Sequence, residues 1–308
     1  MSDASSLPRR LLITGATGLV GEALVTRIRE VDPNVELWAL SRNPKRNAIP
    51  GVQMFGWSPS KGELDPAALD GVTGVFHLAG ETVAQRWTPK VRQRILTSRI
   101  DALDLIREAC ETIGNAPRLV SASAIGWYPD SPESMTESDP AGSGFIADIV
   151  QAWERAAHRF GALGGQHVSL RIGLVLSPNG GVLAKLLPLY RLGLGSPLAP
   201  GTQWQSWVHI DDLVSLFLHS MGTPGLEGAY NAVSPNPVTQ RQFSQALAGA
   251  LGRPHFLPAV PRFVLRAVFG EAAEALLASN RVEPKRTLDS GFEFEHALLP
   301  AAMASLLR

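Results

Sequence analysis

Cysteine is nearly absent from this chain of 308 residues: Cys110 stands alone. An internal disulfide framework is therefore excluded, and a zinc site built on thiolates has no ligand set. Net charge is absent as well, since 28 Lys and Arg balance 28 Asp and Glu. Without a positive excess there is no field to gather nucleic acid or an anionic membrane surface, and neither is an expected partner. Charged residues make up only 18% of the chain against 45% hydrophobic, which supplies a core and rules out a disordered composition. No apolar run approaches the roughly 18 residues that cross a bilayer. Residues 1–10, MSDASSLPRR, read as a flexible polar leader that lacks the apolar stretch of a secretory signal. The expectation is a cytoplasmic protein acting on a small molecule of unknown identity, with its oligomeric state open.

What is present is an alternation. Short apolar runs at Leu11–Thr14, Val35–Leu40, Val52–Phe55, Gly74–Gly80, Pro117–Ser123 and His167–Leu174 read as strands. Between them lie helical patterns over Gly21–Glu30, Thr88–Glu111 and Gly144–Phe160. Strand and helix at this period predict an α/β fold with a Rossmann-type doubly wound parallel sheet. From Pro178 the chain is richer in Gly, Pro and Leu and forms a smaller C-terminal substrate lobe. The expected division is residues 11–177 plus about 208–233 in the Rossmann domain, and 178–207 plus 234–308 in the smaller lobe. The stretch from about Pro258 is read as helices closing over the cleft between the two.

The strongest local signal is Thr14-Gly15-Ala16-Thr17-Gly18-Leu19-Val20-Gly21, a Gly-x-x-Gly-x-x-Gly loop between an apolar strand and a helix. Gly15 permits the tight turn, Gly18 lets backbone amides reach a pyrophosphate, and Gly21 lets the helix pack closely. The helix N-terminus adds partial positive charge. Gly15, Thr17, Gly18, Leu19, Val20 and Gly21 are thus expected to line a dinucleotide. At the end of the second strand an NAD site places Asp or Glu, but here stand Ser41 and Arg42, followed by Asn43-Pro44-Lys45-Arg46. A hydroxyl and a guanidinium suit a 2′-phosphate, so NADP(H) is the expected cofactor, against the alternative of a solvated basic turn. Trp57 is either near the adenine or a buried structural residue.

The glycine loop, Leu78-Ala79-Gly80, Ser121-Ala122-Ser123 and Trp207-Val208-His209-Ile210-Asp211-Asp212 together resemble the extended short-chain dehydrogenase/reductase superfamily. The match narrows through Glu81, Ser98-Arg99, Trp153-Glu154, Arg171-Ile172-Gly173, Pro178-Asn179-Gly180-Gly181, Pro284-Lys285-Arg286 and Gly291-Phe292. These are similar to an epimerase-like branch with an uncharacterised C-terminal domain, also labelled sugar-nucleotide epimerase-like or cell-division-inhibitor-like. The resemblance implies a Rossmann fold, an NADP(H)-type cofactor, and a pocket between two lobes. It adds Leu78, Ala79, Gly80, Glu81, Arg99 and Ser121 to the expected cofactor contacts. For Arg99, an anionic substrate, a cofactor ribose and a structural ion pair all remain open.

One departure limits the chemistry. The superfamily carries Tyr-x-x-x-Lys on the helix after the fifth strand, where this chain reads Phe145-Ile146-Ala147-Asp148-Ile149-Val150. Phe145 or Ile146 falls at the tyrosine, and Ile149 or Val150 at the lysine. Ser123 matches the superfamily's substrate-orienting serine, and Tyr128 is the best surviving phenol, the alternative being a buried loop aromatic. These two are the candidate catalytic residues, and no metal site is expected. Asp148 and Glu154 are expected to be solvated or ion-paired. Asp211 or Asp212 is expected to cap a helix, with His209 structural. Gln205 stands where nucleotide-sugar enzymes of the superfamily hold a diphosphate-gripping arginine, although Arg171, Lys185 and Arg191 lie in the same region. Trp127, Trp204 and Trp207 are candidate apolar walls. Two functions fit: an NADP(H)-dependent oxidoreductase or epimerase-like enzyme on a small carbonyl compound, and a non-catalytic NADPH-binding regulatory protein.

Overall fold

Strand β1 (Arg10–Thr14) is buried at every position after its first, as a strand covered by helices on both faces must be. In the computed structural model, residues 7–307 are described, without the side chains of 268, 269, 275 and 276. Six residues of the expected leader lie outside them, and Arg10 is already in β1. Seven more strands join β1: β2 (Glu36–Ser41), β3 (Gln53–Ser58), β4 (Glu63–Leu64), β5 (Gly74–His77), β6 (Arg118–Ala124), β7 (His167–Ile172) and β8 (Gly228–Ala232). Their order is β8-β7-β6-β5-β1-β2-β3-β4, parallel throughout except for the short antiparallel β4. With β2 on one side of β1 and β5 on the other, the winding reverses at β1, and a crevice opens at the carboxyl ends of these strands.

Six helices accompany the sheet, the first three where the sequence predicts them: α1 (Leu19–Val31), α2 (Pro89–Thr112), α3 (Phe145–His158), α4 (Gly181–Arg191), α5 (Ile210–Gly222) and α6 (Gln240–Ala250). Packing of α1 with α5 and of α2 with α3 brings two helical layers around the sheet. Thr88 caps α2 by accepting from Val91 N–H, and Thr239 with Gln242 forms a reciprocal capping box at α6. The C-terminal stretch adds α7 (Arg262–Phe269), α8 (Ala273–Leu277), α9 (Lys285–Asp289) and α10 (Leu299–Leu307). A second apolar core joins Leu183, Leu187 and Tyr190 of α4 to Phe243 and Leu247 of α6 and Met303 of α10.

Two predicted strands end early, for identifiable reasons. The run from Gly74 stops at His77 because the next two amides, of Leu78 and Ala79, turn to the Thr14 hydroxyl. The run from His167 breaks at Gly173, where a Cβ would stand 2.5 Å from the Ser206 carbonyl oxygen. The chain continues as Leu174–Leu176, which pairs with Trp207–His209 instead of the main sheet.

The outer edge of β8 is closed by side chains from α9 and from the loop after β6. Arg286 donates to the carbonyls of Glu227 and Ala229, Thr287 donates to that of Asn231, and Glu137 accepts from Asn231 N–H. Backbone groups that would otherwise invite another strand are thereby satisfied.

Candidate functional site

The glycine loop turns directly out of β1. Gly15 has φ +72°, and a Cβ there would lie 2.9 Å from the Ala79 nitrogen, so the loops after β1 and β5 touch only because Gly15 has no side chain. A Cβ on Gly21 would stand 2.2 Å from the Gly15 carbonyl oxygen. The third glycine therefore lets α1 close on the loop itself. Gly18 is the N-cap of α1 and supplies no side-chain acceptor to the first turn. Thr17 and Gly18 are exposed and Leu19 and Val20 half-buried, which leaves the first-turn amides open to an oxyanion. These features fit a dinucleotide pyrophosphate.

Thr14 pairs with Leu40 across β1 and β2, so Gly15 and Ser41 leave adjacent strand ends. The buried Ser41 hydroxyl accepts from Asn43 N–H and Asn47 Nδ2, fixing the turn that carries Arg42. Arg42 is exposed and, among the described residues, makes no ion pair. Trp57 lies in the main core.

At the end of β5, the Thr14 hydroxyl accepts from Leu78 and Ala79 N–H, both at 3.1 Å, and meets His77 Nδ1 at 3.0 Å. With its lone pairs taken, the hydroxyl donates to Nδ1, which puts the ring proton on Nε2. Among the described residues Nε2 is buried without a partner. Burial, with the nearby Arg99 charge, pushes the His77 pKa down to about 3, so the ring is neutral. The exposed Gly80 backs onto Arg99, whose guanidinium carbon would be 3.1 Å from a Cβ at that position. Arg99 donates to the Ile95 carbonyl at 2.9 Å and lies 4.8 Å from the centre of the Trp153 ring. Glu81 accepts from Gln85 and Arg94, and its backbone N–H donates to Ser98. Ser121 is buried and donates to the Ala122 carbonyl.

Ser123 stands near the carboxyl end of β6, two residues beyond the Ser121 that pairs with His77. Its hydroxyl donates to Glu154 Oε1 at 2.6 Å. Arg171 grips the same carboxylate with Nε at 2.8 Å and Nη2 at 2.9 Å. Its Nη1 donates to the Tyr128 hydroxyl at 2.9 Å, and that hydroxyl donates to Asn231 Oδ1 at 2.8 Å. The Arg171 guanidinium also lies 3.9 Å from the centre of the Trp127 ring. Tyr128 is therefore a buried network member, its pKa raised to about 12, mainly by burial. Its proton is committed to Asn231, and the expected role as a donor toward the crevice does not fit this arrangement. Glu154 is ion-paired, one of the two expected alternatives, and Arg171 is consumed by it. A charge in the middle of a strand buried on both faces needs a partner, and Leu170-Arg171-Ile172 carried that signal.

The positions replacing the usual tyrosine and lysine are filled by packing. Phe145 meets Trp87 edge-on at 5.0 Å, and the Arg92 guanidinium lies 4.6 Å from the Phe145 ring. Arg92 pairs with Glu271, which ties the segment after α7 to the start of α2. Ile149 and Val150 are buried, and Asp148 is exposed. Among the expected walls, Trp207 is fully buried and donates to the Asn236 carbonyl, so it is core, whereas Trp127 and Trp204 stack on Arg171 and Arg281. Lys185 and Arg191 are exposed on α4.

The cap of α5 corrects the expectation for Asp211 and Asp212. These fall in the first turn, and His209 is the cap, its Nδ1 accepting from Asp211 N–H at 3.1 Å. Asp212 instead accepts from the backbone N–H groups of Glu295 and His296. His209, Asp211 and His296 gather within 4.8 Å, but the cap uses the His209 lone pair that a cation would need. Burial and the stacked His296 push the His209 pKa down to about 4.

Known proteins match this arrangement along nearly its whole length. Residues 11–232 match the NAD dependent epimerase/dehydratase family, and residues 260–306 match a domain of unknown function, DUF1731. The chloroplastic epimerase family protein SDR39U1 homolog of Arabidopsis thaliana is 34% identical over 304 residues, covering 96% of this chain and 86% of its own. An epimerase family protein of Staphylococcus epidermidis is 36% identical over 303 residues, covering 97% and 99%. Among solved structures, human epimerase family protein SDR39U1 (isoform2) with NADPH superposes with a TM-score of 0.86 at 31% identity, covering 97% of this chain and 99% of that one. No helix among the described residues is long and apolar enough to cross a membrane.

Proposed function

Because this chain belongs to the NAD-dependent epimerase/dehydratase family, we propose that it binds NADP(H) and exchanges a hydride with a small carbonyl or alcohol compound in the crevice between β1 and β5. The observation that carries the reading is the uncapped N-terminus of α1, set against two glycines, Gly15 and Gly21, whose neighbours leave no room for a side chain. Gly15, Thr17, Gly18, Leu19, Val20 and Gly21 would hold the pyrophosphate. Ser41 and Arg42 would take the 2′-phosphate, where no carboxylate stands to repel it. The NADPH in the human relative's structure supports this choice.

The bound nicotinamide supplies or accepts the hydride. Ser123 points its proton at Glu154, so its lone pairs are left to accept from a substrate hydroxyl. Glu154, held by Arg171, fixes that orientation. With Tyr128 committed to Asn231, an ordered water is the proton carrier of this reading. A second reading, an NADPH-binding regulatory protein without turnover, is favoured by the packing of Phe145, Ile149 and Val150 where the superfamily keeps its phenol and ammonium.

Calorimetry with NADPH and NADH tests the cofactor: NADPH binds more tightly, and Arg42→Ala lowers its affinity by about tenfold while NADH changes little. Equal affinities in the unsubstituted protein overturn the assignment. NADPH oxidation against aldehydes, ketones and quinones separates the two functions. Turnover lost in Ser123→Ala supports the enzyme, and tight binding with no turnover supports the regulator.

A further inference from the structure

The neutrality of this chain is a sum over its whole length, and the smaller lobe does not share it. Residues 172–210 and 228–270 contain no Asp or Glu, yet they hold Lys185, Arg191, Arg241, Arg253, Arg262 and Arg266. The acids that balance these cations stand elsewhere in the chain. Among the described residues, Arg266 alone of these is ion-paired, with Glu274, and the other acid just after α7, Glu271, is taken by Arg92. Lys185, Arg191, Arg253 and Arg262 are exposed.

The same lobe holds large apolar side chains out in solvent. Leu189, Leu192 and Leu194 at the end of α4, and Phe256 and Phe263 before and on α7, are exposed, with Leu192, Phe256 and Phe263 at 73%, 75% and 73%. They come together because two segments run side by side. A Cβ at Gly193 would be 3.8 Å from the Pro254 ring, Ser196 donates to the Pro258 carbonyl, and Val260 N–H donates to the Pro197 carbonyl at 2.8 Å. His255 is held inward by the Ser244 hydroxyl at 2.7 Å, so the next side chain, Phe256, faces out. Each apolar tip has a cation within three residues: Arg191 beside Leu189, Leu192 and Leu194, Arg253 before Phe256, and Arg262 before Phe263. Lys185 stands one helical turn before Leu189 on the same face of α4.

We propose that this face of the smaller lobe is a docking surface for an anionic lipid bilayer, its cations meeting headgroup phosphates while the leucines and phenylalanines enter the acyl boundary. Charge decides the occupant. A second copy seated on the same face would bring like charges together, with no Asp or Glu in either stretch to receive them. Separate apolar tips on loops and at a helix start suit a soft interface that closes around each of them. The expectation that no membrane surface is a partner followed from net neutrality, and the segregation of charge removes its premise. Docking of this kind is independent of what the glycine loop binds.

The test is co-sedimentation of the full chain with vesicles of phosphatidylcholine, alone or with about 30% phosphatidylglycerol, at about 0.1 M salt. The anionic vesicles are expected to bind the chain at least about tenfold more tightly than phosphatidylcholine alone, and about 1 M salt should weaken that binding. Arg253→Gln combined with Arg262→Gln should lower the partition by about 25-fold, roughly fivefold per arginine. Phe256→Ser combined with Phe263→Ser should lower it by about tenfold or more. Both pairs change exposed side chains, so each should melt within about 2 °C of the parent, and if one pair melts lower the other still decides. No binding to either vesicle, equal binding to both, or binding that a stable variant retains in full overturns the proposal. Retention on heparin without vesicle binding overturns it in favour of a polyanion. A dimer in sedimentation that Phe256→Ser with Phe263→Ser abolishes, again without vesicle binding, overturns it in favour of a second copy.

Discussion

Removing the Glu154 carboxylate is expected to be among the more damaging single changes in the chain. The Glu154 and Arg171 side chains are 12% and 4% exposed, and two hydrogen bonds join them. In Glu154→Ala, Arg171 keeps only Tyr128 and the Trp127 face, and Ser123 loses its acceptor. Breaking a buried pair from one side costs about 3–5 kcal/mol. A cavity of about 270 Å³ bordered by Glu154, Gln151, His158 and His167 admits water to the vacated space. That argues for the lower figure, about 3 kcal/mol. At roughly 2–4 °C per kcal/mol for domains of a few hundred residues, the melting temperature should fall by about 6–12 °C. Glu154→Leu combined with Arg171→Met removes both charges and should recover much of that loss, giving a coupling of about 2 kcal/mol in a double-mutant cycle. Circular dichroism melts and urea titrations of the parent, Glu154→Ala, Glu154→Leu, Arg171→Met and the double variant provide the numbers. A Glu154→Ala protein melting within about 2 °C of the parent would refute the reasoning, as would additive losses in the double variant.

Three further outcomes are expected. Tyr128→Phe strands Arg171 Nη1 and Asn231 Oδ1, so urea unfolding should show a loss of about 1–3 kcal/mol with NADPH affinity unchanged; lost turnover at full stability would instead restore a catalytic phenol. Gly21→Ala forces a methyl onto the Gly15 carbonyl oxygen and should weaken both stability, by about 1–3 kcal/mol, and cofactor binding, and calorimetry with no change would contradict the close packing of α1. His77 has a folded pKa of about 3 against 6.5 as the ordinary value, so the unfolded chain takes up its proton first as pH falls. Its stabilising contribution is whole above pH 6.5 and shrinks by about 1.4 kcal/mol per pH unit down to about pH 3. His77→Asn should flatten the stability–pH slope across that window, and an unaltered slope would sink the assignment of a neutral ring.

The parallel sheet and the cofactor loop were legible because their signals are local. Leu11–Thr14 followed by Gly15, Gly18 and Gly21 states strand, turn and helix within a dozen residues. What was illegible depended on partners far away in the chain. Ser131–Met135 is polar and aperiodic, and it becomes a strand only because Asn280–Val282 lies beside it. For Tyr128 the sequence left a surviving phenol and a buried loop aromatic both open, because nothing near it in the chain reveals Asn231 and Arg171 at 103 and 43 residues' separation. The α5 cap was misplaced by two or three residues because Asp is a commoner N-cap than His, while the actual turn begins at His209.

The closed margin of β8 has a consequence for how the protein is made. Arg286 and Thr287, which seal that margin, leave the ribosome 56 to 59 residues after the groups they cover. During synthesis the nascent sheet therefore waits with one flank open, vulnerable to pairing with a neighbouring chain on the same message. A chain lacking Arg286 and Thr287 would leave the carbonyls of Glu227, Ala229 and Asn231 without these partners permanently.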